Sequence, residues 1–185
     1  MMERKYNYEI MDLIKTRWSP RAISEEKLSR EEIMPLIEAA RFAPSCFNEQ
    51  PWRFVIADKE ETLQKMRNVL MPGNQIWANK APVLLLIVAK KNFTYNNEEN
   101  FWHMFDAGTA WGFLTLEAQK RGLVTHAMGG FDMDKTRSSF NISEDYEIIT
   151  IVAIGKYGNK EALDPKLRSK EHPDIRMETE ALILK

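Results

Sequence analysis

Residues 83–89 form an unbroken apolar run, Val83-Leu84-Leu85-Leu86-Ile87-Val88-Ala89, preceded by Pro82 and closed by Lys90 and Lys91. The run is too short to span a bilayer and has the length of a buried strand. A strand with no polar side has to be covered on both faces, which sheets achieve when helices lie above and below them. The flanking sequence supplies those helices. Ser29-Arg30-Glu31-Glu32 is a capping box, and Ile33, Leu36, Ile37 and Ala40 follow at one-face helical spacing. Residues 60–70 carry Leu63, Met66 and Leu70 on a second helical face, and Met71-Pro72-Gly73-Asn74 closes it with turn chemistry. Residues 101–121 lack proline and end at Gly122, as a long helix does. Its middle is apolar nearly all round, with Gly108 and Gly112 one turn apart, which suits a central helix or a subunit-contact helix.

The remaining elements alternate in the same way. Ile10, Leu13 and Ile14 predict a first helix over residues 7–15. Strands are expected at 53–57, 123–128 and 147–153, and Asp132 is placed to cap a helix over 133–140. The tail after Gly155 is rich in charge and proline, and is expected to wrap over a surface or a partner. No internal repeat or linker divides the chain, so a single domain over residues 1–185 is the economical reading.

Charge narrows the choice of partner. The formal net charge is -1 over 185 residues, with both signs interspersed. That leaves no broad footprint for nucleic acid or an anionic membrane and points to a small molecule. The start of the chain, Met1-Met2-Glu3-Arg4-Lys5, lacks a hydrophobic signal core, and the single Cys46 cannot form an internal disulfide; both fit a reducing cytoplasm.

Two loops stand out chemically. In Ala43-Pro44-Ser45-Cys46-Phe47-Asn48-Glu49-Gln50-Pro51-Trp52, two prolines stiffen a turn that can present the polar groups of Ser45, Asn48 and Gln50. In Arg17-Trp18-Ser19-Pro20-Arg21, two guanidiniums flank a hydroxyl on a restricted backbone, the makings of an anion site. A third feature, Gly129-Gly130, lets a backbone pass close to a ligand.

Self-sufficient catalytic chemistry is missing. There is no Gly-x-Gly-x-x-Gly, phosphate loop or Gly-x-Ser-x-Gly elbow, and Cys46 has no visible base. His103, His126 and His172 are too far apart in sequence to suggest a metal site. Polar loops without an acid, base or nucleophile of their own suit chemistry carried by a bound cofactor.

Taken in order, Arg17-Trp18-Ser19-Pro20-Arg21, the Pro44 to Trp52 loop, and Gly122 through Gly129-Gly130-Phe131-Asp132 resemble the FMN-dependent nitroreductase family. The resemblance implies an α+β fold with a mixed, mainly antiparallel central sheet covered by helices, and an intertwined homodimer with FMN at the subunit interface. It further implies FMN contacts from Arg17, Trp18, Ser19 and Arg21, with Arg17 toward the phosphate and Arg21 toward the pyrimidine edge. The residues carried over to the partner subunit's flavin are Pro44, Ser45, Cys46 and Asn48, while Met128, Gly129 and Gly130 would lie against the ring. Many family members carry an acidic residue where Gly129 stands, so only a backbone contact is expected there. A C-terminal Arg-Lys pair often closes the phosphate site; Arg176 is the nearest match, although Met177 follows it, and Arg168 is the alternative. Asn74 and Lys80 lie where the family supplies further contacts.

The implied activity is hydride transfer from NADH or NADPH through FMN to small electron-poor acceptors such as nitroaromatics or quinones, by a two-step exchange. Phe101, Trp102 and Phe105, with Tyr95, are candidates for the wall of the acceptor pocket. A flavin-binding sensor or carrier with little turnover is the alternative. Flavin-dependent dehalogenases rank lower, because the region between Ala89 and Phe101 leaves little room for a lid.

Overall fold

The computed structural model describes residues 4–184. The chain order is α1 (Asp12–Thr16), α2 (Arg30–Arg41), β1 (Trp52–Ala57), α3 (Glu60–Val69), α4 (Pro72–Ala78), β2 (Val83–Lys90), α5 (His103–Lys120), β3 (Leu123–Met128), α6 (Met133–Phe140), β4 (Tyr146–Lys156) and α7 (Pro165–Arg168), with short 3-10 turns at Cys46–Asn48, Lys160–Ala162 and Thr179–Leu182. The strands form one sheet in the order β1-β2-β4-β3, and every neighbouring pair is antiparallel.

The apolar run occupies the middle of that sheet as β2, with Val83 through Ala89 all buried. Its side chains alternate between two cores. Leu84, Leu86 and Val88 join Ile151 and Ala153 of β4 beneath α3 and α4, where Leu63, Met66, Val69 and Trp77 complete the layer. Val83, Leu85, Ile87 and Ala89 face the other way and pack with α2 and α5 through Ile33, Leu36, Ala110 and Leu114. Each fully buried Leu or Ile contributes about 1.5–3 kcal/mol by leaving water, so β2 welds the two layers together. The β2–β4 register shifts between Ile87 and Val88, which pair with Thr150 and Ile148. Ile149 is the extra residue of this bulge, and the slip lets Ile148 and Ile151 share one core despite their odd spacing.

The capping box forms as its sequence predicts, with Ser29 Oγ accepting from Glu32 N at 3.3 Å and Ser29 N donating to Glu32 Oε2 at 2.8 Å. Gly122 ends α5 at φ 73°, and Asp132 caps α6 by accepting from Lys135 N. Two expectations are corrected. The first helix covers only Asp12–Thr16, because Ile10 and Ile14 stay exposed and no packed face sustains the turns before it. The expected stop after residue 70 holds, since α3 ends at Val69, but the turn expected at residues 71–74 is the start of a further helix, α4. Pro72 occupies its first turn, where the missing N–H is not needed.

No helix among the described residues is long and apolar enough to cross a membrane. One face of α5 nevertheless remains open, with Met104, Phe105 and Phe113 exposed and nothing within 4 Å of the position a Cβ would take on Gly108 or Gly112. Gly108 and Gly112 are thus not required by packing within this chain, unlike the buried Ala107 and Ala110.

Candidate functional site

The segment Arg17-Trp18-Ser19-Pro20-Arg21 leads from α1 into a chain crossing that is tied down at several points. At its start, Arg4 Nη1 donates to the carbonyls of Lys15 and Arg17 at 3.0 Å each, and Arg4 Nε donates to Asp174 O at 3.1 Å. Just past it, Ile23 bridges Tyr157, and Gly158 N donates to Ala22 O at 2.7 Å. A Cβ on Gly158 would lie 2.9 Å from Ser24 N, so only glycine permits this crossing. Between the two ties, the carboxylate of Glu171 accepts from Arg21 N at 2.9 and 3.1 Å and from Ala22 N at 2.9 Å.

This scaffold encloses a cavity of about 240 Å³. Trp18, Ser19 and Arg21 form one wall; Lys170, His172, Asp174 and Arg176 of the C-terminal tail form the opposite one, and Arg4 and His126 complete it. Arg17 adjoins, its guanidinium 3.4 Å from Ser19 Oγ. Burial, and then the charges of Arg4 and Arg176, hold the Arg17 guanidinium below its ordinary pKa. Among the described residues no carboxylate forms an ion pair with Arg17, Arg21, Lys170 or Arg176. Arg4, Arg17, Arg21, Lys170 and Arg176 thus outnumber Asp174 and Glu171 here; cations in excess repel one another, and an anionic ligand relieves that repulsion.

His126, on β3, stays neutral in this setting. Burial lowers its pKa to about 4; the Pro20 carbonyl opposes the shift, and Arg21 and Arg17 reinforce it. Its Nδ1 lies 3.1 Å from Pro20 O, so the neutral ring donates there and keeps Nε2 as an acceptor, while the ring packs on Trp77 at 4.6 Å.

The loop over residues 44–52 is built differently. Phe47, Asn48 and Gln50 all have φ between 50° and 57°, left-handed backbone that costs a non-glycine residue about 1 kcal/mol or more. Cross-links hold it: Gln50 N donates to Ser45 Oγ at 3.0 Å, Cys46 N to Asp106 Oδ2 of α5 at 3.0 Å, and Thr94 N to Glu49 Oε1 at 2.9 Å. Asp106 is buried, and desolvation raises its pKa against the Cys46 bond and the charge of His103. The conformation turns Phe47 outward, edge-on to Phe93 at 5.9 Å and Tyr95 at 6.2 Å. Phe101, Trp102 and Phe105 form a second exposed group, with edge-to-face centroid separations of 5.4 and 6.3 Å.

At the end of β3, Met128 is buried in the core, pairs with Ile151 in the sheet and accepts from Thr150 Oγ1 at 2.9 Å through its carbonyl. Gly129 has open space at its Cβ position, whereas a Cβ on Gly130 would meet Asn74 Nδ2 at 2.8 Å. Asn74 donates to Gly130 O at 2.9 Å, so it secures the glycine pair.

Comparison with known proteins gives this geometry a family. The Nitroreductase family profile matches residues 14–76 and 70–156. The chain belongs to the nitroreductase family. A structure described as an oxidoreductase containing FMN superposes with a TM-score of 0.94 at 33% identity, over 98% of this chain and 94% of that one. An Archaeoglobus fulgidus protein provisionally named an NADH dehydrogenase/NAD(P)H nitroreductase is 28% identical over 151 residues, 80% of this chain and 84% of its own. An iodotyrosine deiodinase from Thermotoga neapolitana is 25% identical over 169 residues, 79% of this chain and 87% of its own. The fold is therefore the α+β nitroreductase fold, a helix-covered sheet that contains only antiparallel pairs among the described residues.

Within this nitroreductase fold, the first motif and the tail share a cavity, but residues 44–52 and 128–130 do not line it. Arg176 stands on the cavity wall; Arg168 lies elsewhere, bound to Glu161 at 3.0 Å. Lys80 lines a neighbouring cavity of about 190 Å³ with Arg21. Sequence reasoning missed Arg4, His126, Lys170, His172, Asp174 and Glu171. The charge density of the tail was the only signal available for the four tail residues, and Arg4 and His126 had none, since no local spacing shows that residues near 4, 20, 126 and 171 will meet.

Proposed function

We propose that this nitroreductase-family chain is an FMN-dependent oxidoreductase that uses NADH or NADPH, folds as one domain over residues 1–185 and works as a homodimer in the cytoplasm. The observation that carries the reading is the gathering of Arg17, Arg21, Lys170 and Arg176 about a cavity where they outnumber the carboxylates of Asp174 and Glu171 and, among the described residues, form an ion pair with neither. Such a donor set fits a phosphate-bearing cofactor. Arg17, Ser19 and Arg176, joined by Lys170, would hold the phosphate, and Arg21 with Trp18 would meet the polar edge of the flavin. Gly129 offers backbone to the ring with no side chain in the way, and Gly130 is held beside it by Asn74. The loop carrying Pro44, Ser45, Cys46 and Asn48 lies outside the cavity, which fits a role toward the flavin of a partner subunit. The open α5 face with Gly108 and Gly112 supports that pairing.

When bound, FMN would supply reversible hydride acceptance, taking hydride from NAD(P)H and then passing it to a small electron-poor acceptor such as a nitroaromatic or quinone. The chain's own part is to orient and to exclude. Arg21 brings a fixed positive charge, and neutral His126 neither adds to the repulsion nor competes for the anion. Phe101, Trp102 and Phe105 offer flat surfaces on which an acceptor can stack.

The test is an absorption spectrum of protein reconstituted with FMN and desalted, followed by anaerobic addition of NADH and NADPH in turn. Retained colour that bleaches and returns with a nitroaromatic or quinone is the expected result and identifies the preferred donor. Retained colour without bleaching would make the protein a flavin sensor or carrier, and failure to retain FMN would overturn the cofactor assignment.

A further inference from the structure

We propose that Glu171 is a positioning residue for the anion end of the site, holding the Arg17–Arg21 segment and the C-terminal tail in the one arrangement that lets their cations converge. The inference rests on the flavin reading above. Glu171 is 7% exposed, and its two oxygens take three N–H bonds from consecutive backbone positions 150 and 149 residues away. Its neighbours in sequence, Lys170 and His172, line the cavity with Arg21. The carboxylate therefore stands at the seam between the two walls. It also reaches Tyr157, whose hydroxyl acidity is weakened by burial and then by the Glu171 charge, and the Tyr157 ring packs 6.0 Å from Trp18.

Charge and geometry make opposite demands on this residue. A buried carboxylate beside an anion site repels the anion, so electrostatics alone makes Glu171 a liability for FMN affinity. Its bonding says otherwise. Glu171 spends its oxygens on the Arg21 and Ala22 amides and on no guanidinium or ammonium group among the described residues. Charge-assisted bonds to backbone N–H groups fix φ and ψ at the point where the Arg21 side chain leaves the chain. Removing the carboxylate would leave two amides without partners and free the tail from the motif.

The experiment measures FMN affinity by flavin fluorescence, with thermal melting of the apo-protein in parallel, for wild type, Glu171→Ala and Glu171→Gln. Glu171→Ala is expected to bind FMN at least about tenfold more weakly. Glu171→Gln keeps the Oε1 atom that accepts from both amides and is expected to recover most of that loss. Amide hydrogen exchange over residues 18–22 should be faster in FMN-loaded Glu171→Ala than in loaded wild type. Unchanged or tighter FMN binding by Glu171→Ala would show that Glu171 acts only as a charge and would overturn the inference, as would a Gln variant no better than Ala. Should the Ala variant melt far below wild type, Glu171→Asp decides instead: its charge is kept but its oxygens are withdrawn, so weaker FMN binding with an unchanged melt supports the assignment and unchanged affinity overturns it. Wild type that binds no FMN would overturn the flavin reading and this inference with it; wild type that binds FMN while the variants match it overturns this inference alone.

Discussion

At the basic cavity the backbone is ordinary and the side chains are unusual; in the loop over residues 44–52 the backbone is unusual and the side chains are ordinary. Arg17, Arg21, Lys170 and Arg176 gather against Coulomb repulsion on a chain with no positive φ between residues 17 and 21. Phe47, Asn48 and Gln50 are held in left-handed conformations while Ser45, Glu49 and Gln50 bond among themselves and their neighbours. The first region stores electrostatic energy that an anion releases. The second stores conformational energy, and what it gains is shape. A site that must grip a charged end and flank a flat one needs both, and this chain keeps them apart.

The contrast can be broken most severely with acid. His126 has a folded pKa of about 4 against 6.5 for the free side chain, so between those values the unfolded chain binds a proton that the folded one refuses. Stability is therefore full above pH 6.5 and falls as pH drops toward 4, by about 3 kcal/mol. Urea titrations at pH 7 and 4.5 should show that loss, and His126→Gln should flatten it. Asp106, at the loop end, works with the opposite sign, because burial raises its carboxyl and the folded state holds that proton more firmly.

Next in size is Arg17→Ala. Loss of a charge-assisted contact is worth about 2 kcal/mol, or roughly a thirtyfold rise in FMN Kd. Fluorescence titration at two salt concentrations would check it, and an unchanged Kd would remove Arg17 from the anion site. Asp106→Leu should cost about 1 kcal/mol of stability by stranding the Cys46 amide, with hydrogen exchange quickening in residues 44–52 and not in 17–21. The smallest effect is expected for Trp102→Ala, about 0.5–1 kcal/mol, read as a several-fold change in acceptor KM with FMN content retained. Equal loss of both would move Trp102 out of the acceptor pocket.

Local chemistry was legible in the sequence, and long-range chemistry was not. The apolar β2 run, the Ser29 capping box, the Gly122 stop and the Asp132 cap each depend on residues a few positions apart, and each lies where the pattern put it. Pro72 misled because a proline that ends one helix can equally begin the next. The motif at residues 17–21 was visible as a candidate anion site, but its second wall was not. Glu171 is one of 27 acidic residues, and its meeting with Arg21 is set by where β4 delivers the tail, which no local pattern encodes. The outward turn of Phe47 was hidden likewise, since it depends on Asp106 and Thr94 from later elements.

The bond from Arg21 to Glu171 spans 150 residues, and that distance bears on when the cavity can exist. Contacts between remote segments carry the loop-closure cost of all the chain between them and form late. As the chain is synthesised, the arginines near residue 20 emerge early and remain without their opposite wall until residues 170–176 follow. The sheet and both cores can be assembled before then. Capture of an anionic cofactor by both walls accordingly waits for residues 170–176, after the sheet residues have been made.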